Sequence, residues 1–182
     1  GNADEPLSIN TTTGEFYNDE FGSETAAGII PTVFPLFPTL PADSWVTIGI
    51  DSQPEVGEGQ INISEDGDQP WAGAFSHGSA IDGLNVEINT AVGGTWHVMT
   101  NVSNGFPDES MRVLFMQLTT EEEVFGRVNF SVHQNLNGLY SGSLNLTFDF
   151  SGLGVFFPVG YHGCGCTDAE ALNYNTASTI DD

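Results

Sequence analysis

The residues most suited to metal chemistry are Asp and Asn side chains that follow one another near the end of the chain. Ca²⁺ takes roughly six to eight oxygen ligands from carboxylates, amides and backbone carbonyls, often along a single loop. Side chains of this kind stand at Asp168, Asn173, Asn175, Asp181 and Asp182. The same residue types also cap backbone amides in Asx turns, and the Gly-containing loop of an EF-hand is missing. The pattern therefore predicts either a calcium site or ordinary turns.

Thiol chemistry is confined to the same region, because Cys164 and Cys166 are the two cysteines of the chain. Free thiols seldom persist in an oxidising compartment, so we expect both residues in disulfides. A bond between the two would close a very small and strained ring. A partner on a continuing chain or on a neighbouring subunit is the alternative.

Sequence motifs of known catalytic sites are missing. The chain has no Gly-x-Ser-x-Gly, no His-Glu-x-x-His and no Gly-rich phosphate-binding loop. It has no Lys, which excludes Schiff-base formation and a Walker-type phosphate loop. The histidines stand singly, as surface or turn residues usually do, at His77, His97, His133 and His162. We therefore expect a protein that is not an enzyme.

Carbohydrate binding is the alternative chemistry, because an exposed indole ring can stack on a sugar ring. Trp45 and Trp96 lie in apolar stretches and are predicted to be core residues. Trp71 follows Gln69 and Pro70, and it is the one tryptophan that the sequence favours as a sugar-binding platform. On this alternative the chain is a carbohydrate-binding or adhesive module of a larger secreted protein.

The charge balance restricts the partners. The 182 residues include 25 Asp and Glu but only two Arg, which gives a formal net charge of -23. Such a surface repels phosphate backbones and anionic lipid and attracts divalent cations, so nucleic acid is excluded as a partner. No apolar run is long enough to cross a bilayer, and we expect no membrane insertion.

Glycosylation-type Asn-x-Ser/Thr triplets point to an extracellular protein. Four of the five fall on predicted outward strand faces, where a glycan has room. The triplets begin at Asn10, Asn62, Asn101, Asn129 and Asn145. The chain begins at Gly1 without Met, which agrees with removal of an upstream signal peptide.

The elements that must position these residues are strands. Residues 126–133 and 144–150 alternate apolar and polar side chains with a period of two, and residues 112–118 are apolar on both faces, as in a central strand. Turn dipeptides separate further strand candidates, which are residues 7–13, 45–51, 60–64, 71–75, 84–89 and 95–101. About nine or ten short strands predict an all-β fold, an antiparallel two-sheet β-sandwich over residues 29–160 with an irregular Cys-containing tail over residues 161–182.

Two segments are candidates for contacts between subunits. Residues 1–28 are either the first strand of the sandwich or an acidic arm that adds a strand to a neighbour through Leu7 and Ile9. Residues 29–41 are expected to be extended by their prolines, and they either seal the end of the sandwich or expose Phe34 and Phe37 to another subunit.

The two cations are expected in ion pairs at strand ends. Arg112 follows Asp108 and Glu109, and Arg127 follows the run of three Glu at residues 121–123. Each such pair is worth at most about 1 kcal/mol when it is exposed.

Residues 165–182 resemble a short repeat of secreted proteins from marine bacteria and microalgae. The repeat reads Gly-Cys-Thr-Asp, then Ala-x-Asn-Tyr-Asn, then Asp-Asp-Gly-Ser-Cys, and it is matched at residues 165–168, 171–175 and 181–182. Residues 43–49 and 112–119 are similar to the unnamed β domain that often precedes such repeats. The resemblance implies that the usual partner of Cys166 lies beyond Asp182, so we expect a fragment or processed subunit of something larger.

Together these features predict an extracellular, glycosylated structural subunit that assembles into a surface filament, sheath or coat. We expect the chain to associate with copies of itself through the N-terminal arm and the Pro-rich segment, and to have glycans as further partners. Ca²⁺ is the one cofactor that the sequence suggests.

Overall fold

The computed structural model describes residues 1–136, 139–160, 163–164 and 178–180, and the side-chain burial of residues 1–133 and 142–160. Its helical segments are 3-10 helices of three or four residues, so the predicted all-β class is confirmed. The strands are Leu7–Thr11 (β1), Trp45–Val46 (β2), Asn62–Ser64 (β3), Val86–Ile88 (β4), Thr95–His97 (β5), Met116–Gln117 (β6), Val124–Leu136 (β7), Leu139–Ser151 (β8), Gly163–Cys164 (β9) and Ser178–Ile180 (β10).

The largest sheet has four strands in the order β4-β1-β7-β8, all antiparallel. Strands β7 and β8 are 13 residues each and form a long hairpin, in which Val128 lies opposite Phe148 and Val132 opposite Leu144. The predicted alternation over residues 126–133 and 144–150 is therefore observed, within longer strands. Period two follows from the pleat, which sends successive side chains to opposite faces.

Three further pairs are short. β2 pairs with β6 and β3 with β5, both antiparallel, whereas β9 and β10 are parallel. The last pair corrects the prediction of an irregular tail for those residues of the tail that the structure describes. The two-sheet sandwich arrangement stays a prediction.

The apolar side chains form two clusters. The larger cluster lies on one face of the four-stranded sheet, where β1, β4 and β7 contribute Leu7, Ile9, Val86, Ile88 and Val128. They pack against the side chains of Phe16, Val46, Trp71, Ala72, Ala74 and Phe75. The smaller cluster holds Ala26, Ile29, Leu40, Trp45, Ile50 and Ile61. Trp96 packs against both clusters and so joins the two parts of the core.

Of the two alternatives for the N-terminal residues, the structure has the first strand. β1 lies inside the sheet and pairs with β4 on one side and β7 on the other. Leu7 and Ile9 are 2% and 0% exposed, so neither side chain is available to another subunit. The assignment of these two residues to an assembly arm is wrong, because alternate apolar residues in a strand with two neighbours are covered by the chain's own core.

Residues 71–75 form a 3-10 helix at Ala72–Phe75 and not the predicted strand. A Glu65 carboxylate oxygen accepts hydrogen bonds from the backbone amides of Trp71 and Ala72, both at 2.6 Å. The amides of a first helical turn have no partner within the helix, so an acceptor at this point favours the helix over a strand.

The apolar run at residues 112–118 is not a central strand. Only Met116 and Gln117 are in strand β6, and Val113 and Leu114 are exposed. Thr47 and Gly49 still donate backbone hydrogen bonds to Phe115 and Leu114, at 3.0 and 2.7 Å. The run is therefore hydrogen-bonded to a neighbouring segment along one of its two edges, as an edge strand would be.

The Pro-rich segment is turned and not extended. It contains the 3-10 helices Pro31–Val33 and Leu40–Ala42, each with Pro in its first turn, where the fixed φ of Pro suits a helix and no amide is needed. Phe34 and Phe37 are partly buried against the smaller cluster, which agrees with the alternative that this segment seals the core. Their assignment as exposed assembly residues is corrected accordingly.

Within the described ranges, no helix has the length and apolar character to cross a bilayer.

Candidate functional site

The most distinctive surface feature is an apolar cleft on the face of the β7–β8 hairpin, here called the aromatic cleft. It has a volume of about 480 Å³. Its walls come from β6 and its neighbours, from the hairpin and from the chain that follows the hairpin. They are Phe115, Met116, Leu118, Val128, Phe130, Phe148, Phe150, Gly154 and Phe156. A volume of this size lies in the usual range of ligand and docking sites.

Edge-to-face ring contacts define the walls of the aromatic cleft. Phe130 packs against Phe115 and Phe148 with ring centroids 5.0 and 5.6 Å apart. Phe150 packs against Phe156 at 6.4 Å. Such contacts are worth about 0.5–1.5 kcal/mol each beyond the burial of area. The rings are thus held in place by one another before anything enters the cleft.

Residues 153–159, here called the edge segment, run along the outer edge of β8. Val159 donates a backbone hydrogen bond of 2.7 Å to Thr147, and Pro158 forms an isolated antiparallel bridge with Phe148. Gly152 and Gly160 flank the segment with φ of +66° and +75°, a conformation that favours glycine. The edge segment therefore covers part of the open edge of β8.

Side chains of the edge segment alternate between its two faces. Phe156 and Pro158 are partly buried toward the hairpin, whereas Leu153, Val155 and Val159 are exposed. Apolar residues on both faces are typical of a strand that is covered on both sides. The sequence reasoning missed this segment, although the alternation of Leu, Val, Phe and Val at every second position was a usable signal.

The cleft face of the hairpin continues beyond the cleft. Val132 and Leu144 lie opposite each other on the same face as Val128 and Phe148, but they are 50% and 48% exposed. The layer that contains Phe115 and Met116 covers the part of the hairpin near Phe130. An apolar strip is consequently left at the surface.

A second feature is the buried carboxylate of Asp43, which is 0% exposed. It accepts backbone hydrogen bonds from Asp19 and Ser23, at 2.8 and 2.9 Å. A Cβ added to Gly22 would collide with this carboxylate, so the loop closes around it only with glycine there. Burial raises the pKa of Asp43 to about 6, although the two backbone hydrogen bonds favour the ionised form. We assign Asp43 a structural role as the centre that orders the loop of residues 19–23.

The glycosylation-type asparagines differ in accessibility. Asn62, Asn101 and Asn145 are exposed, and Asn10 and Asn129 are half-buried. Asn129 is engaged in the fold, because its Nδ2 donates hydrogen bonds of 3.0 Å to the carbonyls of Glu5 and Pro6. An N-linked glycan replaces one hydrogen of that nitrogen, so modification of Asn129 would remove at least one of these bonds.

Trp71 corrects the sugar-platform prediction. Its side chain is 2% exposed and packs against Trp96 and Phe75 in the larger cluster. An indole that stacks on a sugar must offer a face to solvent, and this one offers none. Trp45 is buried and Trp96 is half-buried, as expected of core residues.

The predicted calcium ligands Asp168, Asn173, Asn175, Asp181 and Asp182 lie outside the described residues, as do Cys166 and His162. Cys164 is described by its backbone in β9. Within the described part of the chain, no three His, Cys, Asp or Glu side chains converge as metal ligands would. An acidic pocket of about 230 Å³ lies at residues 49–58, with Asp51, Glu55 and Glu58 in its wall.

Both arginines form ion pairs as predicted, but neither lies at the end of a strand. The Arg112 guanidinium lies 3.6 Å from the carboxylate of Asp108, one of the two acidic residues that the sequence placed before it. Arg127 instead forms a two-point contact with Asp149 on the neighbouring strand, at 2.6 and 2.8 Å, and not with the Glu run at residues 121–123. Because residues 127 and 149 are opposite each other in the β7–β8 register, the cross-strand partner is nearer.

Comparison with known proteins found no matching family model, no similar curated protein and no similar solved structure. The resemblance of residues 165–182 to the secreted repeat thus stays a prediction.

Proposed function

We propose that this chain is an extracellular, glycosylated structural subunit, not an enzyme, which self-associates into a surface filament, sheath or coat. The observation that carries the proposal is the set of exposed apolar side chains on the hairpin and the edge segment. They are Phe125, Val132, Leu144, Leu153, Val155, Phe157 and Val159. Exposed apolar surface of this kind is typical of a contact with another protein.

The proposed contact is on the hairpin side of the molecule and not at the N-terminal arm. Leu7 and Ile9 are core residues, so an exchange of β1 between subunits would require the sheet to open. The hairpin and the edge segment lie at the edge of the same sheet, where another subunit can approach without disturbing the core. The small β2–β6 pair, packed over the hairpin through Met116, would be the second layer of the proposed sandwich.

The extracellular setting is supported by the exposed triplets and by the charge. Asn62, Asn101 and Asn145 offer solvent-facing acceptors for glycans. A net charge of -23 keeps a protein soluble in salt, where screening reduces self-repulsion, and it attracts divalent cations such as Ca²⁺. Both are properties of a protein suited to a salty exterior.

Self-association is tested by light scattering and negative-stain electron microscopy of the secreted, glycosylated protein. We expect open-ended polymers whose average mass rises with protein concentration. Parallel samples with reductant and with a chelator report whether disulfides or Ca²⁺ strengthen the polymer. A monodisperse single chain at every concentration, with neither agent changing its mass, would contradict the proposal.

A further inference from the structure

Among the residues that the structure describes, none fills the aromatic cleft, although the edge segment lies beside it. Phe156 already contacts Phe150, yet a volume of about 480 Å³ remains between β6, the hairpin and the edge segment. Atoms that line an unfilled space lack dispersion contacts on one side. An apolar group that enters the cleft would restore those contacts and remove the rings from water.

Apolar side chains that could enter the cleft are found on the outer face of the edge segment. Leu153 is fully exposed and Val155 is 83% exposed, so the two side chains make almost no contact within their own chain. The alternation places them on the opposite face from Phe156, which lines the chain's own cleft. One copy therefore cannot fill its own cleft with these two side chains, whereas a second copy can.

The lack of charged residues on both surfaces makes a second copy compatible with the cleft despite the net charge of the chain. With a net charge of -23, two copies repel each other wherever their acidic surfaces meet. Residues 152–160 contain no charged residue, and neither do the residues that line the aromatic cleft. A basic partner would be drawn to the acidic surface, while these two uncharged surfaces can meet with little repulsion.

We propose that Leu153 and Val155 of one copy enter the aromatic cleft of a second copy, an inference that rests on the self-association proposed above. The donor face and the cleft are different surfaces of one chain, so the contact is heterologous. After each docking the second copy still has a free donor face and the first a free cleft. Such a contact repeats to give open-ended chains of subunits unless its rotation closes a ring.

Mixing of two defective variants tests this contact. Val155→Asp places a charge on the donor face and leaves the cleft intact, and Met116→Trp fills the cleft and leaves the donor face intact. Each variant alone should be a single chain. A mixture of equal amounts should give dimers and nothing larger, because one intact donor face meets one intact cleft. Val92→Asp, the same change at another exposed valine, should polymerise like the natural chain.

The outcomes separate this inference from the proposed function. If Val155→Asp polymerises like the natural chain, the inference is overturned and self-association stands. If both variants are single chains and their mixture stays so, the head-to-tail contact is overturned. If the natural chain itself never polymerises, the proposed function fails and takes this inference with it.

A peptide measurement covers the case in which Met116→Trp does not fold. A labelled peptide of residues 152–160 is titrated into the Val155→Asp variant, whose substitution lies on the surface. We expect saturable binding of one peptide per chain. A peptide with Leu153→Asp and Val155→Asp should bind at least about tenfold more weakly, a loss of about 1.4 kcal/mol. Equal binding of the two peptides, or binding of neither, would overturn the inference.

Discussion

Asp43 is a carboxylate without exposed surface, and the loop that encloses it has room only because residue 22 is glycine. Gly22→Ala should lower the free energy of unfolding by about 1–3 kcal/mol, since the added methyl collides with a carboxylate held by the amides of Asp19 and Ser23. Gly67→Ala is the matched control, because nothing lies within 4 Å of a Cβ there. Urea denaturation measures both, and equal stability of the two variants would contradict the role of this loop.

The raised pKa of Asp43 makes a specific prediction about pH. A carboxyl whose folded pKa of about 6 exceeds its ordinary value of 3.8 stabilises the fold most when it is protonated. Its contribution is fully present below pH 3.8 and is lost as the pH rises through about 6. The natural chain should therefore lose on the order of 2 kcal/mol relative to Asp43→Asn across that window.

Chemical denaturation of the natural chain and of Asp43→Asn at closely spaced pH values tests the predicted loss of stability with rising pH. Taking the difference between the two proteins removes the contributions of the other carboxyls, including Asp149, whose pKa the Arg127 guanidinium lowers. A difference that does not change with pH would show that the Asp43 carboxyl is ionised as easily in the folded as in the unfolded chain. A difference that moves the other way would show that it is ionised more easily in the folded chain, and either result would contradict the raised pKa.

Asn129 and Asn145 are two glycosylation-type asparagines with opposite structural roles. Asn129→Ala should cost about 1–2 kcal/mol of stability, because the carbonyls of Glu5 and Pro6 lose their side-chain donor. Asn145→Ala should cost under about 0.5 kcal/mol, since its side chain is exposed and accepts one hydrogen bond from Ser131. Thermal unfolding of the unglycosylated variants compares them, and a larger loss at Asn145 would contradict this assignment.

At the scale of elements, the position of β1 inside the sheet shows that the N-terminal residues are part of the fold and not a free arm. Ile9→Ala should destabilise the protein by about 2–5 kcal/mol, because Ile9 is fully buried between β4 and β7. Ser8→Ala, on the other face of the same strand, should change stability by less than about 0.5 kcal/mol. Deletion of residues 1–13 should abolish cooperative unfolding as seen by circular dichroism, whereas a dispensable arm would leave that transition unchanged.

The long hairpin was predictable from sequence because its signal is local. Alternation at residues 126–133 and 144–150 marks which side chains face the core, and the observed register keeps Val128 opposite Phe148 on that face. Residues 71–75 show the limit of such reasoning, since their helix depends on the Glu65 carboxylate, which no periodicity of the segment itself reveals. Propensity decides an element only where tertiary contacts do not override it.

The sites were less predictable than the strands, because their parts are brought together from distant positions. Asp43 accepts hydrogen bonds from Asp19 and Ser23, which precede it in the chain by 24 and 20 positions. No local sequence motif could therefore have predicted this site. The aromatic cleft joins Phe115 to Phe130, Phe148 and Phe156 from four separate stretches. Trp71 was wrongly predicted to be an exposed sugar-binding residue, because the preceding Pro70 suggested a loop. Its ring instead packs against Trp96 and Phe75.

For the whole molecule, two opposed properties would govern the proposed self-association. The net charge of -23 pushes copies apart over long distances, and the uncharged apolar surfaces of the hairpin and the edge segment attract at contact. Salt weakens the first, because the screening length falls from about 10 Å at 0.1 M to about 3 Å at 1 M. Burial of apolar area is not weakened by this screening, so assembly should increase with salt.

The most direct test of the account is the weight-average mass, measured by sedimentation at fixed protein concentration between about 0.1 M and 1 M NaCl. We expect the mass to rise with salt toward polymers. Val155→Asp should remain a single chain over the whole range. A natural chain that stays single at every salt concentration, or whose polymers dissociate as salt is added, would contradict assembly through the apolar surface.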